Sequence, residues 1–254
     1  QTRLGAAIDT LEQAAPLGAV QVIGGVPDAP SGIKPQLLTG GGSVWMLTNA
    51  VYRVDVASAT LVQVLHEGDT VGATTVGQIR AITWRQEQLV AVDAKQAFVF
   101  ENTTGTWSVE QLGQLSPDGY PNVINADTYD YNLYLLDSTA GQILKFTAGL
   151  YGSTPGDWTA GVERANLERG VDMAVDGHVW VLRDDGVVLD FFQSQLNLTI
   201  APTILPPLPG AQTLHVTESS QFIHVIGTDG RVLRLARDGS LAQQFTPPPG
   251  STLL

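Results

Sequence analysis

The chain has 254 residues, of which 43% are hydrophobic, and its 13 basic and 25 acidic residues give a formal net charge of −12. A surface this negative repels nucleic acid backbones and anionic lipid headgroups, so we expect neither as a partner. The chain contains no cysteine, which excludes disulfides, thiolate catalysis and cysteine-based metal sites. No apolar run approaches the roughly 20 residues that span a bilayer, so we predict no membrane insertion of this segment.

The first residues have a helical pattern. Apolar side chains recur at helical spacing over Thr2–Ala15, and Pro16 ends the pattern. We therefore predict a short helix within a lead-in or linker over residues 1–18, and a single domain over residues 19–254. The domain would begin with a strand over Ala19–Ile23 and a loop up to Pro35.

A hairpin then recurs about every 45 residues, and each unit has an apolar core of four residues, a polar turn and a second β-type run. The five cores are Val44–Leu47, Leu89–Val92, Leu133–Leu136, Val179–Leu182 and Ile223–Ile226. A constant period of this length predicts an all-β fold, a β-propeller of four-stranded blades. Because the cores are continuous apolar runs, we predict that they are buried on both faces between blades.

The remaining strands complete each blade. Inner strands are predicted before the cores, at Gln36–Gly40, Ile79–Trp84, Val123–Thr128, Val171–Asp176 and Thr213–Glu218. Outer strands are predicted after them, at Thr60–Leu65, Trp107–Leu112, weakly near Asp157–Ala160, at Leu198–Leu205 and at Leu241–Phe245. Five complete repeats are visible, with an orphan outer strand at Ala19–Ile23 and an orphan inner strand within Pro247–Leu254. The pattern leaves open a five-bladed ring or an incomplete six-bladed one.

Three units resemble the NHL-type blade, in which apolar-Tyr-apolar-apolar-Asp is followed by a turn and Ile-x-x-Phe. They are Gln88–Phe100, Asn132–Phe146 and Ala174–Phe192. The aspartates of the first two units have no acidic counterpart in the others, where Thr48, Arg183 and Gly227 stand. The resemblance implies an extracytoplasmic propeller of the kind that bacterial membrane signalling proteins carry, and the N-terminal segment resembles an attachment to such a membrane-anchored chain.

Polar residues on the inner strands are the candidate ligand-binding residues. Arg80, Asn125, Asp172 and His215 are expected at similar offsets ahead of their hairpins, so that the repeat brings them around one axis. Trp158, in a polar loop, is a candidate exposed recognition residue. The four histidines form no local metal-binding motif, and we predict no metal, no cofactor and no catalytic residue.

Two functions remain. The first is a non-catalytic extracytoplasmic module that recognises a protein, peptide or glycan through its loops and channel mouth, or acts as a scaffold. The second rests on a resemblance in plan to gluconolactonase-like propellers and would be a metal-dependent hydrolase acting in the channel. A hard cation needs at least three converging oxygen ligands, and the charge of Arg80 would oppose it there. We expect the first.

Overall fold

Each of the five sequence repeats forms one antiparallel four-stranded sheet, so the fold is an all-β propeller of five blades. The computed structural model describes residues 14–16 and 25–248. The chain divides into two units, Val22–Arg164 with blades 1 to 3, and Gln1–Gln21 together with Ala165–Leu254 with blades 4 and 5. The choice that the sequence left open is thereby settled in favour of five blades.

The first strand, β1 (Ala14–Pro16), corrects the prediction of an N-terminal helix for the residues that can be described there. It pairs in parallel with the strand Leu241–Thr246, so it adds a fifth strand to blade 5. Backbone pairing with a sheet edge outweighs the helical preference of a short alanine-rich stretch. The rest of the predicted helix, and the orphan strands at Ala19–Ile23 and after Pro248, lie outside the described residues.

Blades 1 to 3 pair their strands in chain order. Blade 1 comprises β2 (Gln36–Gly40), β3 (Ser43–Leu47), β4 (Ala50–Asp55) and β5 (Thr60–His66), and a small hairpin of β6 (Thr70–Val71) and β7 (Thr74–Thr75) follows it. Blade 2 comprises β8 (Ala81–Arg85), β9 (Gln88–Val92), β10 (Gln96–Glu101) and β11 (Thr106–Gln111). Blade 3 comprises β12 (Asn125–Tyr129), β13 (Asn132–Asp137), β14 (Gln142–Phe146) and β15 (Gly156–Asp157).

Blades 4 and 5 have the same order, after a helix of one turn, α1 (Arg164–Leu167). Blade 4 comprises β16 (Gly170–Val175), β17 (Val179–Arg183), β18 (Val188–Phe192) and β19 (Gln195–Ile200). Blade 5 comprises β20 (Ala211–His215), β21 (Phe222–Gly227), β22 (Val232–Ala236) and β23 (Leu241–Thr246). The fourth strand of blade 4 ends at Ile200, five residues before the predicted end, because the prolines that follow cannot donate to a ladder.

Burial of the cores confirms the two-sided prediction in blades 2, 3 and 4. All residues of Leu89–Val92, Leu133–Leu136 and Val179–Leu182 are buried. The prediction is wrong for blade 5, where buried Ile223 and Val225 alternate with half-exposed neighbours. The period of two reflects side chains that alternate between the two faces of the strand, of which one is more deeply buried than the other.

Candidate functional site

Strand pairing gives the repeat a common register. One residue of each first strand pairs with the last residue of the core in the second strand. These equivalent residues are Gln36, Ala81, Asn125, Asp172 and Thr213.

Side chains at this position join neighbouring blades. Asp172 is 4% exposed, and its Oδ2 accepts a hydrogen bond of 2.7 Å from the Leu214 backbone nitrogen in blade 5. Gln36, at the same position in blade 1, accepts one of 2.8 Å from the Ile82 nitrogen in blade 2 and donates one of 3.0 Å to the Ile124 oxygen. In both cases the side chain satisfies a backbone group between blades. Asp172 therefore links blades 4 and 5. Gln36 has the equivalent role in blade 1, which the sequence pattern did not indicate.

The other predicted residues of the inner strands do not share one offset. Asn125 occupies the linking position and is buried. Arg80 stands one residue before Ala81, whereas His215 stands two residues after Thr213. At about 3.3 Å per strand residue, this three-residue difference is about 10 Å of strand length. The four candidates thus occupy three positions of the repeat, which corrects the expectation of similar offsets.

Trp158 does not stand free in a loop. Its indole is half-buried at the outer edge of blade 3, edge to face with Tyr134 at 6.0 Å between ring centroids. Its backbone nitrogen donates a hydrogen bond of 2.7 Å to the Ile143 oxygen, which extends the pairing of β14 with β15. The structure therefore places Trp158 in the packing of the blade edge.

A cleft of about 600 Å³ opens in the first unit, between the outer part of blade 2 and two loops of blade 3. The cleft is wide and open to solvent rather than an enclosed pocket. The lining residues are Arg85, Gln88, Glu110, Gln111, Tyr131, Ala148, Gly149, Tyr151 and Gly152. A β-carbon added at Gly149 would meet no atom within 4 Å, so there is open space beside the backbone of this residue.

The floor of the cleft is a saturated polar network around Arg85, which is 7% exposed. Its two terminal nitrogens donate to both carboxylate oxygens of Glu110, at 3.2 and 2.8 Å. Nε donates to Gln88 at 2.9 Å, and Nη1 also reaches the Tyr151 hydroxyl at 3.2 Å. Burial lowers the pKa of Arg85, but these bonds outweigh it and leave the pKa raised. The guanidinium is fixed and neutralised, so the floor is rigid and offers no free cation.

The rim of the cleft is apolar and exposed. Tyr131 is 44% exposed and lines the cleft together with Ala148 and Gly149. Tyr151 lies below them, donates a hydrogen bond of 2.6 Å to the Tyr131 backbone oxygen, and has its pKa raised by burial. An exposed aromatic side chain above a satisfied polar floor suits a ligand that is held by apolar contact.

The backbone at Tyr131 is unusual. Asp130 and Tyr131 form the two-residue turn between β12 and β13, with φ angles of 48° and 61°. Hairpin turns with two positive φ angles favour Asn and Gly, and a bulky residue there is a genuine outlier. Such outliers cluster at functional sites. A tyrosine at this turn position was the sequence signal that could have indicated the cleft.

In the part of the chain that the structure describes, no group of three or more His, Asp or Glu residues could hold a metal ion. Over the same residues, no helix is long and apolar enough to cross a membrane.

No protein-family model matches the chain, and neither does any curated protein. Solved structures do match. A surface component of the type-IX secretion system of Porphyromonas gingivalis, PorZ, is 12% identical with a TM-score of 0.51, over 86% of this chain and 26% of that one. A chain of a nidogen/laminin complex is 12% identical with a TM-score of 0.55, over 81% and 76%.

The extracellular domain of a putative one-component system of B. thetaiotaomicron is 14% identical with a TM-score of 0.54, over 82% of this chain and 28% of that one. The chain thus spans little more than a quarter of the length of this protein and of the secretion component. At such identities a likeness shows the fold alone. The similarity of the chain to these proteins lies in the β-propeller fold.

Proposed function

We propose that this propeller is a non-catalytic recognition module that binds a protein segment outside the cytoplasm through the cleft of blades 2 and 3. The observation that carries the proposal is Tyr131. It is held in a left-handed backbone conformation and exposed at the rim of a cleft whose polar floor is already satisfied. A rigid scaffold that presents an aromatic side chain from a loop is typical of binding sites.

The chemistry of the cleft favours a neutral or basic segment. Arg85 is occupied by Glu110, while Glu110 itself remains partly accessible beside Gln111 and Tyr131. The net charge of −12 favours the approach of a basic partner in the same way.

The proposed location outside the cytoplasm is suggested by the similar structures. One is described as a bacterial surface component, another as an extracellular domain, and a third belongs to a complex between two proteins. We extend these contexts to this chain as part of the proposal, with attachment to a larger membrane-anchored protein. Absence of catalysis belongs to the proposal as well, since a metal-dependent hydrolase would need converging oxygen ligands.

The experiment is a selection of displayed random peptides on the immobilised chain, followed by affinity measurements on variants. Tyr131→Ala is compared with Val62→Ala on the fourth strand of blade 1, because both side chains are 44% exposed. Loss of an aromatic anchor costs about 2 kcal/mol or more, so selected peptides should bind Tyr131→Ala at least about tenfold more weakly. Val62→Ala should bind them like the wild type.

Two results would contradict the proposal. The first is a selection without enriched sequences, or with peptides that bind Tyr131→Ala and the wild type equally well. The second is turnover of lactones or phosphoesters by the purified chain in the presence of calcium, magnesium, manganese or zinc.

A further inference from the structure

The outermost strands of the blades differ in how their free edges are protected. In blades 1, 4 and 5, the pairing of the third and fourth strands contains a shift of register, as at a β-bulge. In blade 5 the edge is also covered by β1, and in blade 3 the outer strand has only two residues. Bulges, short strands and covering segments all keep a sheet edge from pairing with other chains.

The outer strand of blade 2 has none of these protections. β11 pairs with β10 in six consecutive residue pairs without a shift of register. Among the strands that the structure describes, none pairs with its other side. Its one charged residue is Glu110. A straight edge of this kind is a template on which another strand can pair.

The direction of each backbone group in β11 follows from a hydrogen bond just beyond the strand. The Leu112 nitrogen donates to the Lys95 oxygen at 3.1 Å, so the backbone groups of Leu112 face β10. In an antiparallel ladder every second residue faces the same neighbour, so the residues between face the outer edge. These outward residues are Trp107, Val109 and Gln111. Within the described part of the chain, their backbone groups form no hydrogen bond on that side.

A loop of blade 3 already uses the next outward group along this edge. Gly113 follows Gln111 by two residues, and its nitrogen donates a hydrogen bond of 2.7 Å to the Tyr151 oxygen. A β-carbon at Gly113 would lie 2.2 Å from the Ser153 backbone, so the two backbones are in close contact. The pairing goes no further, and Gly152 and Gln111 both line the cleft. The cleft therefore opens along the edge of β11, where the pairing with the loop ends.

Blade 5 shows that the outer edge of a blade can take an additional strand. There, β1 runs parallel to β23, with Ala14 opposite Gln244 and Pro16 opposite Thr246. The edge of β11 is more regular than that of β23, which contains a shift of register. From Trp107 to Gln111 the open groups extend over about 13 Å, at about 3.3 Å per residue. This length accommodates a segment of about five residues.

We propose that the partner segment binds as an extended strand on the outer edge of β11, with one end in the cleft beside Tyr131. This binding mode rests on the function proposed for the cleft. The outward backbone groups of β11 exchange hydrogen bonds with the segment, while Tyr131 contacts one of its side chains. Main-chain bonds provide the affinity, and alternate side chains provide the specificity. The segment is neutral or basic, because Glu110 and the net charge of −12 repel an acidic one.

The first test uses the peptides selected on the wild-type chain, synthesised with N-methyl groups on every second amide. Two versions are made, one for each alternate set of amides, because only one set of an added strand points towards β11. Methylation of that set removes several hydrogen bonds and should lower the affinity at least about tenfold. The version methylated on the other set is the matched control and should bind like the unmodified peptide.

The second test measures amide hydrogen exchange in the wild-type protein, residue by residue, by NMR. The amides of Trp107, Val109 and Gln111 should exchange rapidly in the free protein. A saturating peptide should slow their exchange at least about tenfold, since it supplies the missing acceptors. Ser108 and Glu110 are the internal control, because their amides bond to β10 and should be protected in both states.

A variant of the protein tests the same bonds. Gln111→Pro removes one outward N–H but leaves the ladder with β10, since proline is tolerated where the N–H of an edge strand faces outwards. Gln111→Ala retains the N–H and measures the contribution of the side chain. Gln111→Pro should bind the peptides about fivefold more weakly than Gln111→Ala. If thermal unfolding shows that Gln111→Pro is unstable, the two tests on the wild-type protein decide.

The outcomes separate this binding mode from the proposed function. Equal affinities of the two methylated versions, for peptides that still require Tyr131, would overturn the strand and leave the recognition function intact. Unchanged exchange of the outward amides in the complex would do the same. Protection of these amides in the free protein would show that the edge is already covered, by a second copy if the protection rises with protein concentration. A selection without enriched peptides would remove the function and the binding mode together.

Discussion

The second strands of blades 2 and 3 are fully buried on both faces, whereas the second strand of blade 5 is fully buried on one face and half-exposed on the other. In β9 and β13, every residue of Leu89–Val92 and Leu133–Leu136 is buried. In β21, Ile223 and Val225 are fully buried, while His224 and Ile226 are half-exposed. The spacing of the repeat is the same in all three blades. Equal spacing therefore defines the strands, but the surroundings of each blade decide whether one or two faces are apolar.

The turn after the second strand differs between blades in a related way. In blade 2, Asp93 is buried, and its Oδ1 accepts hydrogen bonds of 2.7 Å from the nitrogens of Lys95 and Gln96 while Oδ2 accepts one of 2.9 Å from Gly77. In blade 5, Gly227 stands at this position. The aspartate of the NHL-like pattern is thus a turn cap in blade 2.

The largest expected effect comes from truncating the same repeat position in a two-sided and a one-sided blade. Leu136 and Ile226 both end their cores, but Leu136 is fully buried and Ile226 is half-exposed. Leu136→Ala should lower the free energy of unfolding by about 2–5 kcal/mol, because it leaves a cavity. Ile226→Ala should lower it by less than half as much. Urea unfolding measures both, and equal losses would contradict the one-sided burial of blade 5.

Removal of the turn cap should have the next largest effect. Asp93→Ala leaves the backbone nitrogens of Gly77, Lys95 and Gln96 without this acceptor and should lower the free energy of unfolding by roughly 1–3 kcal/mol, since the carboxylate that they share is buried. Asp238→Ala, in an exposed turn of blade 5 where the carboxylate accepts from Ser240, should cost less than about 0.5 kcal/mol. Chemical denaturation of the two variants tests the difference, and a neutral Asp93→Ala would exclude a structural role for the cap.

The inner strands offer a smaller contrast. Asp172→Ala removes the acceptor of the Leu214 nitrogen and should cost about 1–2 kcal/mol, whereas Asp172→Asn retains an acceptor and should cost less. His215→Ala, at an exposed position, should change stability by less than about 0.5 kcal/mol. Thermal or urea unfolding measures all three. An Asp172→Ala variant as stable as the wild type would show that the link between blades 4 and 5 is dispensable.

The smallest effect concerns pH. Burial, and then His215 and Arg234, lower the pKa of His224 below 6.5. The unfolded chain therefore binds this proton more readily, and the free energy of unfolding should fall as the pH drops below 6.5, levelling off below the folded pKa. His224→Gln should reduce the slope of the free energy of unfolding against pH between pH 7.5 and acid conditions. Identical slopes for the variant and the wild type would place His224 in a solvated setting.

The sequence predicted the strands well where the chemistry is local. All five inner strands and all five cores form strands within a few residues of the expected positions. The partial exposure of Ile226 could not be recognised in the sequence, because His224 alone interrupts the apolar run and Ile226 is itself apolar. The helix prediction was wrong at Ala14 and Ala15, because β1 depends on a partner strand more than 200 residues away, Leu241–Thr246.

The candidate site was harder to predict. Approximate spacing placed Arg80 and His215 in one group with Asn125 and Asp172. The pairing of the first and second strands, however, contains bulges in blades 4 and 5, and Arg80 and His215 lie one and two residues away from the shared position. Tyr131 at its turn was the one local signal of the cleft, and the floor could not be predicted because Arg85 and Tyr151 are far apart in sequence and meet only when blades 2 and 3 pack.

The sequence by itself determined the repeat, the order of the strands and the acidic character of this protein, because hydrophobic periodicity and turn residues act over a few neighbouring positions. The tertiary structure alone decided which faces are covered, which polar groups are satisfied and which remain open. Asp172 accepts a hydrogen bond from a backbone nitrogen of the next blade, whereas Arg234, among the residues that are described, contacts the ring of Phe222. Such outcomes depend on contacts between distant segments, which the local pattern does not encode.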